Sequence, residues 1–350
     1  MFSTFLNDLH NKYSLNNYDI FPFQTIVNSK INENHQQLAY NIKLKRFNNL
    51  SINTIYGKEF NNEFVEMLDK YKLSDKFSIK NNVKVKKPGD KGFVFVVGTN
   101  KSFYSHFRTL LVNLKKVFGC KQKIIGFDMG EISKEPSLKE QIDMVCELEW
   151  RQFDWSIMPR DVRSSQVFSW KIFILAQIYA EFDTFIWCDT SITFEDSNAL
   201  IPLFDSIEKG IISPVILPSD NIHGIRFATN PVFYSLNINF RALLCASTLD
   251  CIEPPGSVLY CNMALSNYTG VCHRQDQSVF NILNANFEYQ RWSENKDDLF
   301  LPHYHNDHPR KRLKHRVNRR INLDPKINFE KAIKKYIHRE KILIIKEHKF

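Results

Sequence analysis

Apolar and polar residues follow one another in blocks through the middle of this chain, and the blocks predict strands followed by helices. Phe93–Val97 is a continuous apolar run closed by Gly98-Thr99-Asn100, the pattern of a buried strand. Ser102 can then cap a helix whose Phe103, Phe107, Leu110, Leu111, Leu114, Val117 and Phe118 recur at helical spacing, with Gly119 ending it. Lys123–Phe127 reads as a second strand, followed by Asp128 and a helix over Ser137–Val145. A third strand, Glu147–Phe153, leads into a loop at Pro159. A long amphipathic helix over Ser165–Phe182 delivers the chain to Thr184–Phe194, where the apolar run Phe185-Ile186-Trp187-Cys188 reads as a buried strand and stops at Asp189-Thr190-Ser191. This order predicts an α/β fold with a mostly parallel open sheet and helices on both faces. Ile211–Leu217 and Val258–Tyr260 read as further strands and Gln275–Phe287 as a late helix.

Residues 1–85 differ: they are Asn-rich and weakly patterned, with one helix near Asn62–Tyr71 and a turn-forming boundary at Lys84–Gly92. Charge marks a second boundary. The chain carries a net +9, but Arg310–Phe350 alone holds 15 Lys and Arg against 4 Asp and Glu, leaving the rest at −2. The division expected is a variable region over 1–85, a regular domain over 86–310 and a basic tail over 311–350. That tail, poor in aromatic residues, reads as a solvated segment, and nucleic acid is not the expected partner. A hydrophobic content of 43% and 29 Phe predict a globular chain with an aromatic-heavy core.

Seven Cys show no C-x-x-C pair. Four fall between Cys245 and Cys272, a density suited to disulfides in an oxidising compartment or to small buried apolar residues. The odd total leaves at least one thiol, with Cys188 the first choice. No apolar stretch reaches 18 residues, and the first residues show no basic segment followed by an apolar one, so neither a transmembrane helix nor a signal peptide is expected.

The candidate chemistry is selective. No Gly-x-Gly-x-x-Gly, phosphate-binding Gly-Lys loop, His-Glu-x-x-His or Gly-x-Ser-x-Gly is present, which weakens dehydrogenase, P-loop, zincin and α/β-hydrolase readings. A carboxylate leaving a parallel strand, as Asp189 does, sits where such sheets form their ligand crevice, suited to a divalent cation or a sugar hydroxyl. Capping the next turn is its structural alternative. Arg160, Arg163 and Lys171 are candidates for a diphosphate. Asp276, opening the late helix, either complements the helix dipole or orients and deprotonates an acceptor hydroxyl. His303, His305 and His308, beside Arg310 and Lys311, suggest a metal ligand next to phosphate-binding charge.

Taken in order, strand-Asp189-x-Ser191 after Trp170-Lys171, then Cys251-Ile252-Glu253-Pro254-Pro255-Gly256, then Cys272-His273-Arg274-Gln275-Asp276-Gln277-Ser278, resembles a domain-of-unknown-function family abundant in roundworms. The core of that family looks like the nucleotide-sugar-binding glycosyltransferase A fold, and the resemblance runs from about Gly92 to about Arg310. It implies transfer of a sugar from a nucleotide-sugar donor to a glycan, protein or lipid acceptor. Asp189 would hold Mn²⁺ or Mg²⁺ on the donor diphosphate, and Asp276 would act at the acceptor. Gln277 would hydrogen-bond sugar, and Arg310 and Lys311 would sit on the diphosphate. The family fold carries Asp-x-Asp where this chain has Asp189-x-Ser191, so a further ligand is implied: His303, His305, His308 or Asp196, or basic residues replacing the ion. Golgi or secretory lumen is the compartment the resemblance implies. A catalytically silent carbohydrate- or nucleotide-binding protein on the same fold is the alternative.

Overall fold

Continuous apolar runs and the short spans between them leave this chain one economical arrangement, parallel strands joined by helical crossovers. The computed structural model describes residues 41–43, 54–56, 60–74, 85–213, 228–229, 242–265, 270–294, 300–302, 305–313, 316–319 and 329–333. The chain divides into two units. The first comprises Met1–Ser78, Met158–Phe173 and Ile212–His308; the second comprises Ile79–Ile157, Ile174–Ile211 and Pro309–Phe350.

In the first unit, β1 (Asn41–Lys43) pairs antiparallel with β2 (Thr54–Tyr56). Helix α1 (Asn62–Lys70) starts where the Asn61 side chain accepts the Glu63 N–H at 3.1 Å, and it buries Leu68.

The second unit holds the sheet. Its strands are β3 (Phe93–Thr99), β4 (Ile124–Asp128), β5 (Leu148–Gln152) and β6 (Thr184–Trp187), in the order β5-β4-β3-β6 and all parallel. Between β3 and β4 runs α2 (Tyr104–Phe118), whose Phe107, Leu110, Leu111 and Leu114 are fully buried. Each such side chain stabilises the unit by about 2 kcal/mol. Helix α3 (Pro136–Asp143) connects β4 to β5. Rings of Phe95, Phe118 and Phe194 meet at 4.8–5.5 Å, and Phe93 meets Phe204 edge-on, so the aromatic-heavy core is present. Gly126 is required for packing: a Cβ there would stand 2.6 Å from the Trp150 ring of the paired strand.

Helix α4 (Ser169–Glu181) belongs to both stretches of chain, because the division falls between Phe173 and Ile174. Beyond β6 come the short β7 (Ile192–Phe194) and α5 (Ile201–Glu208). The first unit continues with α6 (Ala242–Ala246), α7 (Leu249–Ile252) and α8 (Gln275–Glu294), which pack on one another. The second unit closes with α9 (Arg310–Leu313), β8 (Val317–Arg319) and α10 (Phe329–Ile333). Disulfides join Cys120 to Cys146, Cys245 to Cys251 and Cys261 to Cys272, and Cys188 is the buried free thiol.

Several expectations need correction. The strand before Asp189 is half-buried, not buried, and among the described residues β6 pairs with β3 alone. Helix α4 is not amphipathic: Ile172, Phe173, Ile174, Ala176 and Ile178 are buried around most of its circumference. Ser102 does not cap α2; Asn100 does the capping, accepting the Phe103 N–H at 3.2 Å ahead of a 3₁₀ turn over Lys101–Phe103. Phe103 therefore leaves the apolar face it was assigned to and is 54% exposed. Val258–Tyr260 forms no strand, and 211–213 are irregular while 214–217 lie outside the described residues. The basic segment after Arg310 is not simply solvated. Val317–Arg319 pairs antiparallel with β7, and α10 buries Phe329 and Ile333, with the Arg108 guanidinium 5.1 Å over the Phe329 ring.

Candidate functional site

Parallel strands end on one side of their sheet, so the register gathers the residues that follow β3, β4 and β6. Val96 pairs with Trp187 and Thr99 with Asp128, which brings Asn100, Asp128 and Asp189 to the carboxyl edge. The roles of these three polar residues differ. Asp128 is fully buried, and its carboxylate accepts the backbone N–H groups of Gly130, Glu131, Ile132 and Ser133 at 2.6–3.2 Å. Burial pushes its pKa up, but hydrogen bonds from Ser133 and from the Gly130 and Ile132 N–H groups outweigh that and hold it below the ordinary value. Asp128 thus shapes the loop after β4. Asn100 caps the turn after β3.

Asp189 is the half-buried acid of this edge. Its carbonyl accepts the Ile192 N–H at 3.0 Å, so Asp189–Ile192 is a reverse turn from β6 into β7. Its carboxylate accepts the Trp187 indole N–H at 2.9 Å, which fixes its orientation. The turn role and the ligand role are compatible: the backbone closes the turn while the side chain is held from one side by an indole. Ser191, half-buried, shares the turn. Cys188 beside it is buried, and burial, then the Asp189 charge, push its thiol far above the ordinary range, so it stays unreactive.

Basic chain lies in register with this turn. Ile192 pairs with Arg319, Thr193 with Asn318 and Phe194 with Val317. Arg316 Nε stands 4.0 Å from Asp196, whose carboxylate also accepts the Asn198 N–H. Asp196, one of the implied extra ligands, is therefore engaged with a guanidinium. Arg310 and Lys311 open α9 and are half-buried.

In the first unit the structure joins two residues that the sequence had given separate roles. Lys171 Nζ and Asp276 Oδ2 form an ion pair at 2.8 Å, with side chains 14% and 13% exposed. The neighbouring Gln275 side chain accepts the Phe168 N–H at 2.9 Å, so adjacent residues clamp the start of α4 to the start of α8. Gln275 adopts a positive φ of 39° to do this. Ser278 is structural: its buried hydroxyl accepts the Arg274 N–H and donates to the Ala228 carbonyl. Gln277 is half-buried in the first turn of α8. Arg163 donates from Nε and Nη2 to the Met158 carbonyl at 3.2 and 2.7 Å, stapling its own loop, while Arg160 is exposed.

Among the histidines, His303 lies outside the described residues. His305 Nδ1 accepts the Asp307 N–H at 3.2 Å, and His308 is buried. Among the described residues no group of three His, Cys, Asp or Glu side chains could hold a metal ion. Asp189, oriented by an indole and followed by a hydroxyl residue, does not make a metal site on its own.

A family model described as "Protein of unknown function (DUF1647)" matches residues 29–176, a stretch that ends before both Asp189 and Asp276. No curated protein matches the chain. Among solved structures, the chain is similar to the galactosyltransferase LgtC in complex with donor and acceptor sugar analogues. That match has a TM-score of 0.33 and 14% identity, covering 71% of this chain and 98% of the other. An active-site mutant of LgtC matches with a TM-score of 0.31 and 13% identity, covering 69% and 94%. These superpositions are too loose to transfer a site or an activity. The fold stands as mixed α/β, with a four-stranded parallel sheet flanked by helices. No helix among the described residues is long and apolar enough to cross a membrane.

Proposed function

We propose that this chain is a glycosyltransferase of the glycosyltransferase A type that takes its sugar from a nucleotide-sugar donor. The observation that carries the proposal is the oriented, half-buried carboxylate of Asp189 in the turn after β6, at the carboxyl edge of a parallel sheet. Its charge cannot attract a diphosphate, so its role is to accept hydrogen bonds from donor sugar hydroxyls, with Ser191 beside it. Arg310 and Lys311 are assigned to the diphosphate, and Phe103, exposed just beyond Asn100, offers a flat face for the base. In the reaction the bond between the sugar anomeric carbon and the diphosphate oxygen breaks, and its electron pair stays on phosphate. An acceptor hydroxyl oxygen bonds to that carbon, and its proton is taken up by the departing diphosphate. Asp276, held in place by its ion pair with Lys171, is assigned to orient that hydroxyl, with Gln277 hydrogen-bonding sugar. The three disulfides support a secretory lumen as the compartment.

A silent nucleotide- or carbohydrate-binding protein is the second reading. It is favoured by the pairing of Asp276 with Lys171 and by the lack of a three-ligand metal group among the described residues. Release of nucleoside diphosphate from a panel of nucleotide sugars, with and without Mn²⁺, separates the two. Release that Asp189→Asn lowers at least about 100-fold, the scale of a lost polar contact to a transition state, supports the transferase. Binding without release favours the silent protein, and no binding of any donor removes both.

A further inference from the structure

Seven large apolar side chains stand exposed among the described residues, and four of them fall between Leu249 and Leu265: Leu249, Val258, Tyr260 and Leu265. Tyr260 is 76% exposed and Val258 56%. Such a concentration marks a contact surface better than scattered apolar residues do. The segment is also held rigidly. Disulfides Cys245–Cys251 and Cys261–Cys272 bracket it. The His273 N–H donates to the Val258 carbonyl at 2.8 Å, and Arg274 Nη1 reaches the Leu259 carbonyl at 3.5 Å. The buried His273 ring meets the Ile252 carbonyl at 3.2 Å. Cys272, His273 and Arg274 thus bind the loop from below, and Asp276 follows two residues later on the same chain.

We propose that the Val258–Tyr260 loop is a platform for a neutral glycan, the acceptor in the reaction above, on whose glycosyltransferase reading this rests. The chemistry selects that occupant. A sugar ring presents an apolar C–H face and a rim of hydroxyls, matching an exposed phenol ring in a loop that also exposes Val258. Residues 249–265 contain two acids, Asp250 and Glu253, and no Lys or Arg, and the one guanidinium placed against the loop, that of Arg274, is directed at the Leu259 carbonyl, a balance that disfavours nucleic acid, phosphorylated ligands and anionic membranes. A platform fixed by disulfides loses little conformational entropy on binding, which suits a weak, exchangeable ligand.

Saturation-transfer NMR on the full chain tests this, using lactose, chitobiose, maltose and gentiobiose as probes and Tyr260→Ala, Tyr260→Trp and wild type as samples. The expected result is saturation of at least one disaccharide, weakened about tenfold by Tyr260→Ala, as loss of one aromatic contact would give, and kept by Tyr260→Trp. Donor diphosphate release is read separately, on wild type without disaccharide. Equal disaccharide binding by wild type and Tyr260→Ala, or no saturation at all, overturns the platform, and continued donor release would leave the transferase reading standing. Glycan binding without donor release in wild type would sink the transferase and not the platform. Binding to phosphatidylcholine vesicles that Tyr260→Ala abolishes would reassign the loop to a membrane and overturn the proposal.

Discussion

Breaking the Lys171–Asp276 pair from one side should harm the protein more than removing it whole. The two charged atoms are 2.8 Å apart and each side chain is about seven-eighths covered, so water and salt screen them little. Lys171→Met leaves the Asp276 carboxylate in that covered place without its ammonium, which costs about 3 kcal/mol. Asp276→Leu should cost about 2 kcal/mol, because the Lys171 ammonium still lies 5.5 Å over the Phe168 ring. Lys171→Met combined with Asp276→Leu should recover most of this and end within about 1 kcal/mol of wild type. The coupling energy of the cycle would then be about 4 kcal/mol. Urea unfolding of the four proteins, followed by hydrogen exchange at the start of α8, measures it, and 1 M NaCl should change the coupling little. A coupling below about 0.5 kcal/mol, or one abolished by salt, would make this an ordinary surface ion pair and refute the clamp.

Two further perturbations read out the rest of the frame. Burial pushes the His273 pKa from 6.5 down to about 4, opposed by its hydrogen bond to the Ile252 carbonyl. The unfolded chain then binds the extra proton between those values, so stability should fall by about 3 kcal/mol as pH drops from 6.5 to 4. Urea titrations across that range should show a steeper loss in wild type than in His273→Gln. Cys120 and Cys146 lie 26 positions apart, and replacing both with Ala should lower stability by about 3 kcal/mol through the freed unfolded chain. Reducing agent should then destabilise wild type more than the variant in denaturant unfolding.

Much of the sheet was legible because its strands are continuous apolar runs. Phe93–Val97 and Lys123–Phe127 emerge within two residues of β3 and β4. Val258–Tyr260 misled because an exposed loop and a short strand can have the same apolar composition, and only disulfides and neighbours tell them apart. The pairing of β6 with β3 was invisible for a related reason: strand order is a tertiary property. Lys115 shows the same limit. It is charged and yet fully buried, donates to the Cys120 and Gln122 carbonyls, and burial pushes its pKa down to about 8. At the candidate site, the position of Asp189 at a strand end was readable, but the indole that orients it was not. Lys171 and Asp276 were each singled out for chemistry 105 positions apart, and nothing in either motif announces their pairing.

Isothermal titration of UDP, GDP and CDP into wild type and Asp189→Asn, followed by the matching nucleotide sugars, tests the central claim most directly. The account predicts that one nucleotide family binds both proteins comparably, while its sugar-linked form binds wild type about tenfold more tightly than Asp189→Asn, one hydrogen bond to a charged group being about 1.5 kcal/mol or more. Equal affinity of the two proteins for every nucleotide sugar would leave Asp189 as a turn residue and contradict the account.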